Sequence, residues 1–210
     1  MKGAFITFEG GEGAGKSTQA KRLTQRLRAR GCDVVLTREP GGSAWAERLR
    51  TALLTEAGRA LDPTEQAMLF AAARADHVDT LIAPALKAGQ TVICDRFADS
   101  TEAYQGSAGV PTQMLSLLRL VAVGPVMPTL TLILDIAPED GIARARGREA
   151  LDPFEKDDLE TQAARRAVFL DIAAREPDRC VVFDASLPAD RLAEAIWPVV
   201  EARLGLAKEG

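Results

Sequence analysis

Eight consecutive residues, Gly10-Gly11-Glu12-Gly13-Ala14-Gly15-Lys16-Ser17, fit the pattern G-x-x-x-x-G-K-[ST]. The chemistry of such a P-loop is phosphate binding. Glycines let successive backbone N–H groups turn inward around an anion, and a helix starting behind them adds partial positive charge. Lys16 has the reach to meet the outer phosphates of a nucleoside triphosphate, and the Ser17 hydroxyl can ligate Mg2+. The motif needs a strand before it and a helix after it. The apolar run Ala4–Phe8 precedes it, and a helix-forming stretch begins near Lys16. The competing reading, a glycine-rich turn that happens to end in Lys-Ser, does not account for that context.

Two other segments place arginine beside a carboxylate. Thr37-Arg38-Glu39-Pro40-Gly41-Gly42 follows a second apolar run, and Asp95-Arg96-Phe97 follows a third. Ligands of parallel α/β sheets collect at the carboxyl ends of strands, so both segments belong to the rim where a ligand would sit. Taken singly, each reads equally as a local ion pair. Taken with the P-loop, two arginines and Lys16 point to a second anionic substrate beside the triphosphate, because a guanidinium grips phosphate with a rigid fork. A phosphate acceptor would need no general base, since its second pKa is about 6. Repulsion between two anions would then be the main barrier, met by Arg, Lys and Mg2+. The sole histidine, His77, falls mid-helix and reads as packed or solvated rather than catalytic.

The elements that must position these groups are legible as alternation. Short apolar runs at Ala4–Phe8, Asp33–Leu36, Thr91–Cys94, Thr129–Asp135 and Cys180–Asp184 predict strands. Segments with helical periodicity lie at Lys16–Arg30, Ala44–Leu54, Thr64–Ala88, Thr112–Val121, Pro138–Arg146, Leu159–Arg175 and Pro188–Leu204. Strands alternating with helices predict an α/β fold: a five-stranded parallel sheet with helices on both faces. Gly31 reads as a helix C-terminus, Asp62-Pro63 and Leu187-Pro188 as helix entrances, and Pro198 as a kink or restart in the last helix. The charged stretch 144–158, with Gly147 and Pro153, reads either as a solvated loop or as a mobile lid whose arginines close over phosphates.

Composition sets bounds. With 210 residues and 47% hydrophobic content, one domain with a lid insert is expected. A net charge of -4 argues against nucleic-acid binding. No apolar run approaches the roughly 18 residues of a membrane helix. The start of the chain leaves no room for a signal peptide ahead of the first strand. Cys32, Cys94 and Cys180 are expected as buried free thiols in a reducing cytoplasm, and no Cys/His pair has metal-ligand spacing. The guanine-reading N-K-x-D pattern needs asparagine, and the chain has none, which excludes a GTPase switch of that kind.

At this point the motifs resemble those of one family, the bacterial thymidylate kinases. The match runs from about Phe5 to Asp184. It comprises E-G-G-E-G-A-G-K-S, T-R-E-P-G-G (Thr37–Gly42), R-L-R-x-x-L-L (Arg48–Leu54), M-L-F-A-A-A-R (Met68–Arg74), D-R-F with S-T-E-A-Y-Q-G (Asp95–Gly106), and A-R-A-R-G-R followed by L-D-x-F-E (Ala143–Glu155). The resemblance implies the P-loop NTPase fold and transfer of phosphate from Mg-ATP to dTMP. It implies that Gly10, Gly11, Glu12, Gly13, Ala14, Gly15, Lys16, Ser17 and Thr18 hold ATP, with Ser17 and Asp95 serving Mg2+. It implies that Arg38, Arg50 and Arg96 hold the dTMP phosphate end, with Ser100 nearby. Phe70 would stack on thymine, while Arg74, Thr101 and Gln105 read the base edge. Tyr104 would lie under the deoxyribose and crowd a ribose 2′-OH, and Glu12 would face the acceptor's sugar and phosphate end. Lys16 and Arg96 would act in catalysis together with a lid arginine, Arg148 or Arg144. A homodimer is usual in the family. Position 153 is Pro where the family often has Arg. Packing alternatives stay open for Phe70, Tyr104 and Arg74, and another nucleoside monophosphate remains an alternative acceptor.

Overall fold

The computed structural model describes residues 3–146 and 157–206, with the side chain of Arg146 excepted. Among the described residues five strands form one sheet: β1 (Phe5–Gly10), β2 (Val34–Arg38), β3 (Thr91–Asp95), β4 (Leu130–Asp135) and β5 (Cys180–Asp184). Their spatial order is β2-β3-β1-β4-β5, and all pairs are parallel. The expected α/β architecture is therefore present, with every strand within two residues of its expected bounds and β5 matching them.

Period-two alternation assigns each strand residue to a face. Ile6, Phe8, Ile93, Leu130, Leu132 and Leu134 meet α1 (Lys16–Ala29) and α10 (Ala189–Leu204) in one core. Phe5, Val92 and Cys94 point the other way. They pack under α4 (Pro63–His77), the π-helical turn Val78–Ile82, α5 (Ala83–Lys87) and α7 (Thr112–Val123). Farther along that face Ile133 and Cys180 meet Phe169 and Ile172 of α9 (Leu159–Arg175). Helices thus cover both faces, and the central strands β1, β3 and β4 are buried on two sides, while the edge strands β2 and β5 keep exposed residues.

The helix expected over Thr64–Ala88 runs without a gap from 63 to 87, but its turn is not uniform. It divides into α4, the π-helical turn and α5, with Pro84 in the first turn of α5. Proline has no N–H, and its ring crowds the carbonyl four residues back, which the wider turn relieves. Asp62 caps α4 with a reciprocal capping box to Glu65, as its Asp-Pro entrance suggested. The last helix runs through Pro198 as one element. Gly31 adopts a left-handed φ of 77° directly after α1. Three helical pieces were not expected: α3 (Glu56–Arg59), α6 (Ala98–Thr101) and the π-helical turn Glu102–Gly106. Remaining elements used below are α2 (Ala44–Leu53) and α8 (Pro138–Arg146). Cys94 and Cys180 are buried thiols; Cys32 is only half-buried.

Leu27 is fully buried between α1 and the sheet. We expect Leu27→Ala to lower unfolding free energy by about 2–5 kcal/mol in urea titrations, the usual cost of a leucine-sized core cavity.

Candidate active site

The P-loop is built as its sequence requires. β1 ends at Gly10, the chain turns through Gly11–Gly15, and α1 begins at Lys16. Gly15 at the N-cap is left-handed, with φ 89° and no side-chain cap, and the first turn of α1 carries no acidic residue. The helix N-terminus is thereby kept for an anion. Gly10 takes φ 133°, where a Cβ would overlap the Leu134 carbonyl oxygen. Gly13 and Gly141 of α8 press backbone to backbone: a Cβ on Gly13 would overlap the Gly141 carbonyl, and one on Gly141 the Glu12 carbonyl.

Lys16 is buried, and its Nζ donates to the carbonyls of Gly10 (3.0 Å) and Gly11 (2.6 Å). Burial, together with repulsion from Arg96, lowers its pKa to about 8. Ser17 and Thr18 are exposed at the start of α1, and the Ser17 hydroxyl donates to the Asp95 carboxylate at the end of β3. These are hard oxygen donors beside a phosphate loop, the set that suits Mg2+, which takes one or two protein oxygens and completes its shell with water and phosphate. The described residues contain no cluster of three metal-ligating side chains, and this mode requires none.

Arg96 stands at the centre. It is the one non-glycine residue with positive φ (69°) among the described residues. Its Nη1 lies 3.3 Å from the Gly10 carbonyl, which also accepts from Lys16, and 3.3 Å from Ser100 Oγ. Its Nη2 donates to Glu12 Oε1 at 2.6 Å. The Tyr104 hydroxyl donates to the same Glu12 oxygen, and the Arg96 guanidinium sits 5.0 Å from the Tyr104 ring centroid. Burial alone would raise the Glu12 pKa; the Arg96 and Lys16 cations and the Tyr104 hydroxyl reverse this and hold it at about 2. Burial pushes the Tyr104 phenol well above its usual range.

The two sequence-adjacent Arg–acid pairs are not local ion pairs. Arg38 is exposed and reaches Glu47 of α2 (3.3 Å), while Glu39 turns inward. Glu39 accepts from Arg74 Nε at 2.7 Å and from His77 Nδ1 at 3.0 Å. Alternation past the end of β2 sends Arg38 and Glu39 to opposite sides, while the left-handed turn at Arg96 carries its side chain away from Asp95 toward Glu12. Arg74, open to reading as a surface charge, is buried and also binds the Phe97 carbonyl and Thr101 Oγ1. His77 is completely buried, with Thr37 Oγ1 on its Nε2 (2.8 Å). Arg50 Nη1 donates to the Pro40 carbonyl (2.9 Å). Phe70 is half-buried on α4, and Gln105 is buried and donates to Gln66 Oε1 (3.3 Å). Arg144 is bound to the carbonyls of Ala185 and Ser186 at 2.6 and 2.8 Å. Arg148, Pro153 and the 147–156 part of the expected lid lie outside the described residues.

Several residues with evident roles in this arrangement escaped the sequence reading. Glu9, at the carboxyl end of β1, is fully buried and accepts from the Phe97 backbone N–H (2.7 Å) and the Ser100 hydroxyl (2.6 Å). It lies one residue beyond the apolar run taken as the strand. Arg165 of α9 lies over the Tyr104 ring and is held by Asp157 from the turn before that helix. A charged residue spaced between Gln162 and Phe169 on the buried face of α9 was the available signal for Arg165.

A family model described as thymidylate kinase matches residues 8–196. The chain belongs to the thymidylate kinase family. Thymidylate kinase of Rhodopseudomonas palustris (strain CGA009) is 50% identical over 209 residues, covering 97% of this chain and 91% of that protein. Thymidylate kinase of Caulobacter vibrioides is 50% identical over 206 residues, covering 98% and 99%. The crystal structure of thymidylate kinase from Ehrlichia chaffeensis superposes with a TM-score of 0.79 at 32% identity, covering 96% of this chain and 99% of that one. The parallel α/β fold expected from the strand alternation, and the P-loop kinase fold that the resemblance implied, are thus present.

Glu9 yields a pH prediction. Burial, with the Asp99 charge added, raises its pKa to about 8 from an ordinary 4.5. The folded chain therefore holds a proton that the unfolded chain has already released, and stability falls as pH rises from about 5 to 8. The loss should be on the order of a few kcal/mol. Glu9→Gln, which mimics the neutral acid, should flatten that segment in nucleotide-free urea titrations; an unchanged slope would refute the assignment.

Proposed function

We propose that this protein phosphorylates dTMP to dTDP with Mg-ATP, by in-line transfer between two anions held side by side. The observation that carries this reading is the Glu12 carboxylate. It projects from inside the triphosphate loop and holds Arg96 and Tyr104, both from the D-R-F…Y-Q-G segment, so donor loop and acceptor segment share one buried charge network. A bare ATPase or a switch has no need of that junction.

In this mechanism the P-loop N–H groups and the α1 N-terminus, from Gly10 to Thr18, bind the ATP phosphates. Lys16 leaves the Gly10 and Gly11 carbonyls and follows the charge of the transferring group. Ser17 and Asp95 hold Mg2+, which when bound neutralises charge on the donor phosphates. Arg96, with Arg38 and Arg50, binds the acceptor phosphate. One of its oxygens bonds to the γ-phosphorus as the bond from that phosphorus to the β–γ bridging oxygen breaks, releasing ADP. No base is required, because the acceptor is already ionised. Catalysis is thus positioning plus charge neutralisation. Phe70 stacks on the base. Thr101 and Gln105 face its edge, with Arg74 bracing Thr101 and Glu39. Tyr104 supports the deoxyribose, Ser100 steadies Arg96, and a lid arginine, Arg148 or Arg144, completes the cationic set.

We further propose a homodimer acting in the cytoplasm. Leu117, Leu120 and Val121 of α7 are 55%, 67% and 75% exposed, and Met68 of the adjoining α4 is 47% exposed. An apolar strip on two packed helices supports a partner face. Free thiols at Cys32, Cys94 and Cys180 suit a reducing compartment.

The test of function is a panel of nucleoside monophosphates with Mg-ATP. We expect dTMP turnover far above AMP, CMP and GMP, and Lys16→Ala should reduce kcat by about a hundredfold or more with the fold intact. ATP hydrolysis without transfer to any acceptor would sink the reading. For assembly, sedimentation should give a dimer for the wild type and a monomer for the double variant Leu120→Asp/Val121→Asp.

A further inference from the structure

Arg165 stands where a helix normally carries an apolar residue. It shares the buried face of α9 with Gln162, Phe169 and Ile172, and its side chain is 7% exposed. Burying a guanidinium costs several kcal/mol unless it is well paired, so such a position needs a reason. Its partners supply one. The guanidinium carbon lies 4.3 Å from the Tyr104 ring centroid, closer than Arg96 at 5.0 Å. Its Nη2 donates to Asp157 Oδ2 at 2.6 Å. The other Asp157 oxygen accepts from Arg59 Nη2 of α3 at 2.7 Å.

One carboxylate therefore links two arginines across the acceptor side of the molecule. Arg59 belongs to the α2–α3 limb, whose α2 carries Glu47 and Arg50 against Arg38 and Pro40. Arg165 belongs to α9. Arg165 also meets Tyr104, whose hydroxyl is bound to Glu12 of the P-loop. A phenol ring under two guanidiniums, with its hydroxyl anchored, has little room to tilt. The cation–π contact with Arg165 is electrostatic and gains strength away from water.

We propose that Arg165 is a positioning residue for acceptor recognition: held by the Arg59–Asp157 bridge, it fixes the Tyr104 ring that discriminates the acceptor's sugar. This rests on the dTMP kinase reading above. It assigns to α9 a share of specificity that the lid and P-loop motifs do not carry. Asp157 acts on Tyr104 through Arg165, and Arg59 through Asp157.

The experiment combines kinetics with a signal from Tyr104 itself. Tyr104 is the only tyrosine in the chain, so protein labelled with ring-13C tyrosine gives its resonances without assignment. We expect Arg165→Met to shift or broaden those resonances and to raise KM for dTMP about fivefold to tenfold with KM for ATP unchanged. The preference for deoxy over ribo acceptor should fall by a similar factor. Asp157→Asn should produce the same pattern more weakly, and the double variant should match Arg165→Met rather than add to it. Arg165→Lys, which keeps charge but not the planar face, should restore the preference only in part. Ala167→Ser, on the exposed face of α9, should change neither readout. An unmoved tyrosine signal in Arg165→Met overturns the proposal, as does a fall in kcat with the dTMP KM and sugar preference intact, which is what a purely structural role predicts. If the wild type fails to phosphorylate dTMP, the functional reading falls instead, and the tyrosine signal still reports whether Arg165 holds the ring.

Discussion

Two cations share one carbonyl oxygen. Lys16 and Arg96 both donate to Gly10, at the point where β1 becomes the P-loop. Their mutual repulsion is felt on Lys16, whose pKa is depressed by burial and by Arg96. Much of the surrounding structure answers that repulsion. Glu12 takes Arg96 from the loop side, Glu9 holds the turn after Arg96 from within the sheet, and Asp95 faces the start of α1. The parallel register that sets Phe8 opposite Asp95 brings these groups from distant sequence to one strand end. In this arrangement the protein's own groups already set out the charge pattern that phosphates would complete, which limits the reorganisation needed on binding.

The left-handed backbone of Arg96 belongs to the same account. A non-glycine residue there costs of order 1 kcal/mol or more and persists only where neighbours hold it. Glu9 does so through the next N–H and through Ser100, while the Arg96 N–H itself continues the β1–β3 pairing to the Phe8 carbonyl. The guanidinium is thus aimed by backbone geometry rather than by rotamer alone.

The strands are legible to within two residues because the central ones, β1, β3 and β4, are buried on both faces and read as largely apolar runs. The P-loop is legible because glycine spacing is itself the mechanism. Other features depended on partners far along the chain. Glu39 and Arg38 are neighbours in sequence, yet one turns into the core to Arg74 and His77 while the other reaches α2. Glu9 looked like a strand terminus, and only the approach of Phe97 and Ser100 gives its carboxylate a task. Arg165 broke the apolar face of α9, a signal present in the periodicity but meaningless until Tyr104 was beside it. Pro84 was visible as a residue type, although the helical pattern on both sides concealed the wider turn before it.

The contact between Gly13 and Gly141 carries a mechanical consequence. Side chains between two elements act as cushions: they change rotamer and absorb small displacements. Here there are none, and main chain bears directly on main chain. Protein interiors are nearly incompressible at such contacts. A thrust along α8 toward the P-loop is therefore transmitted to the Glu12 carbonyl with almost no slack. The loop that grips the donor and the helix entering the 144–158 segment behave as a single lever, and neither glycine can drift to a larger residue without prying the two apart.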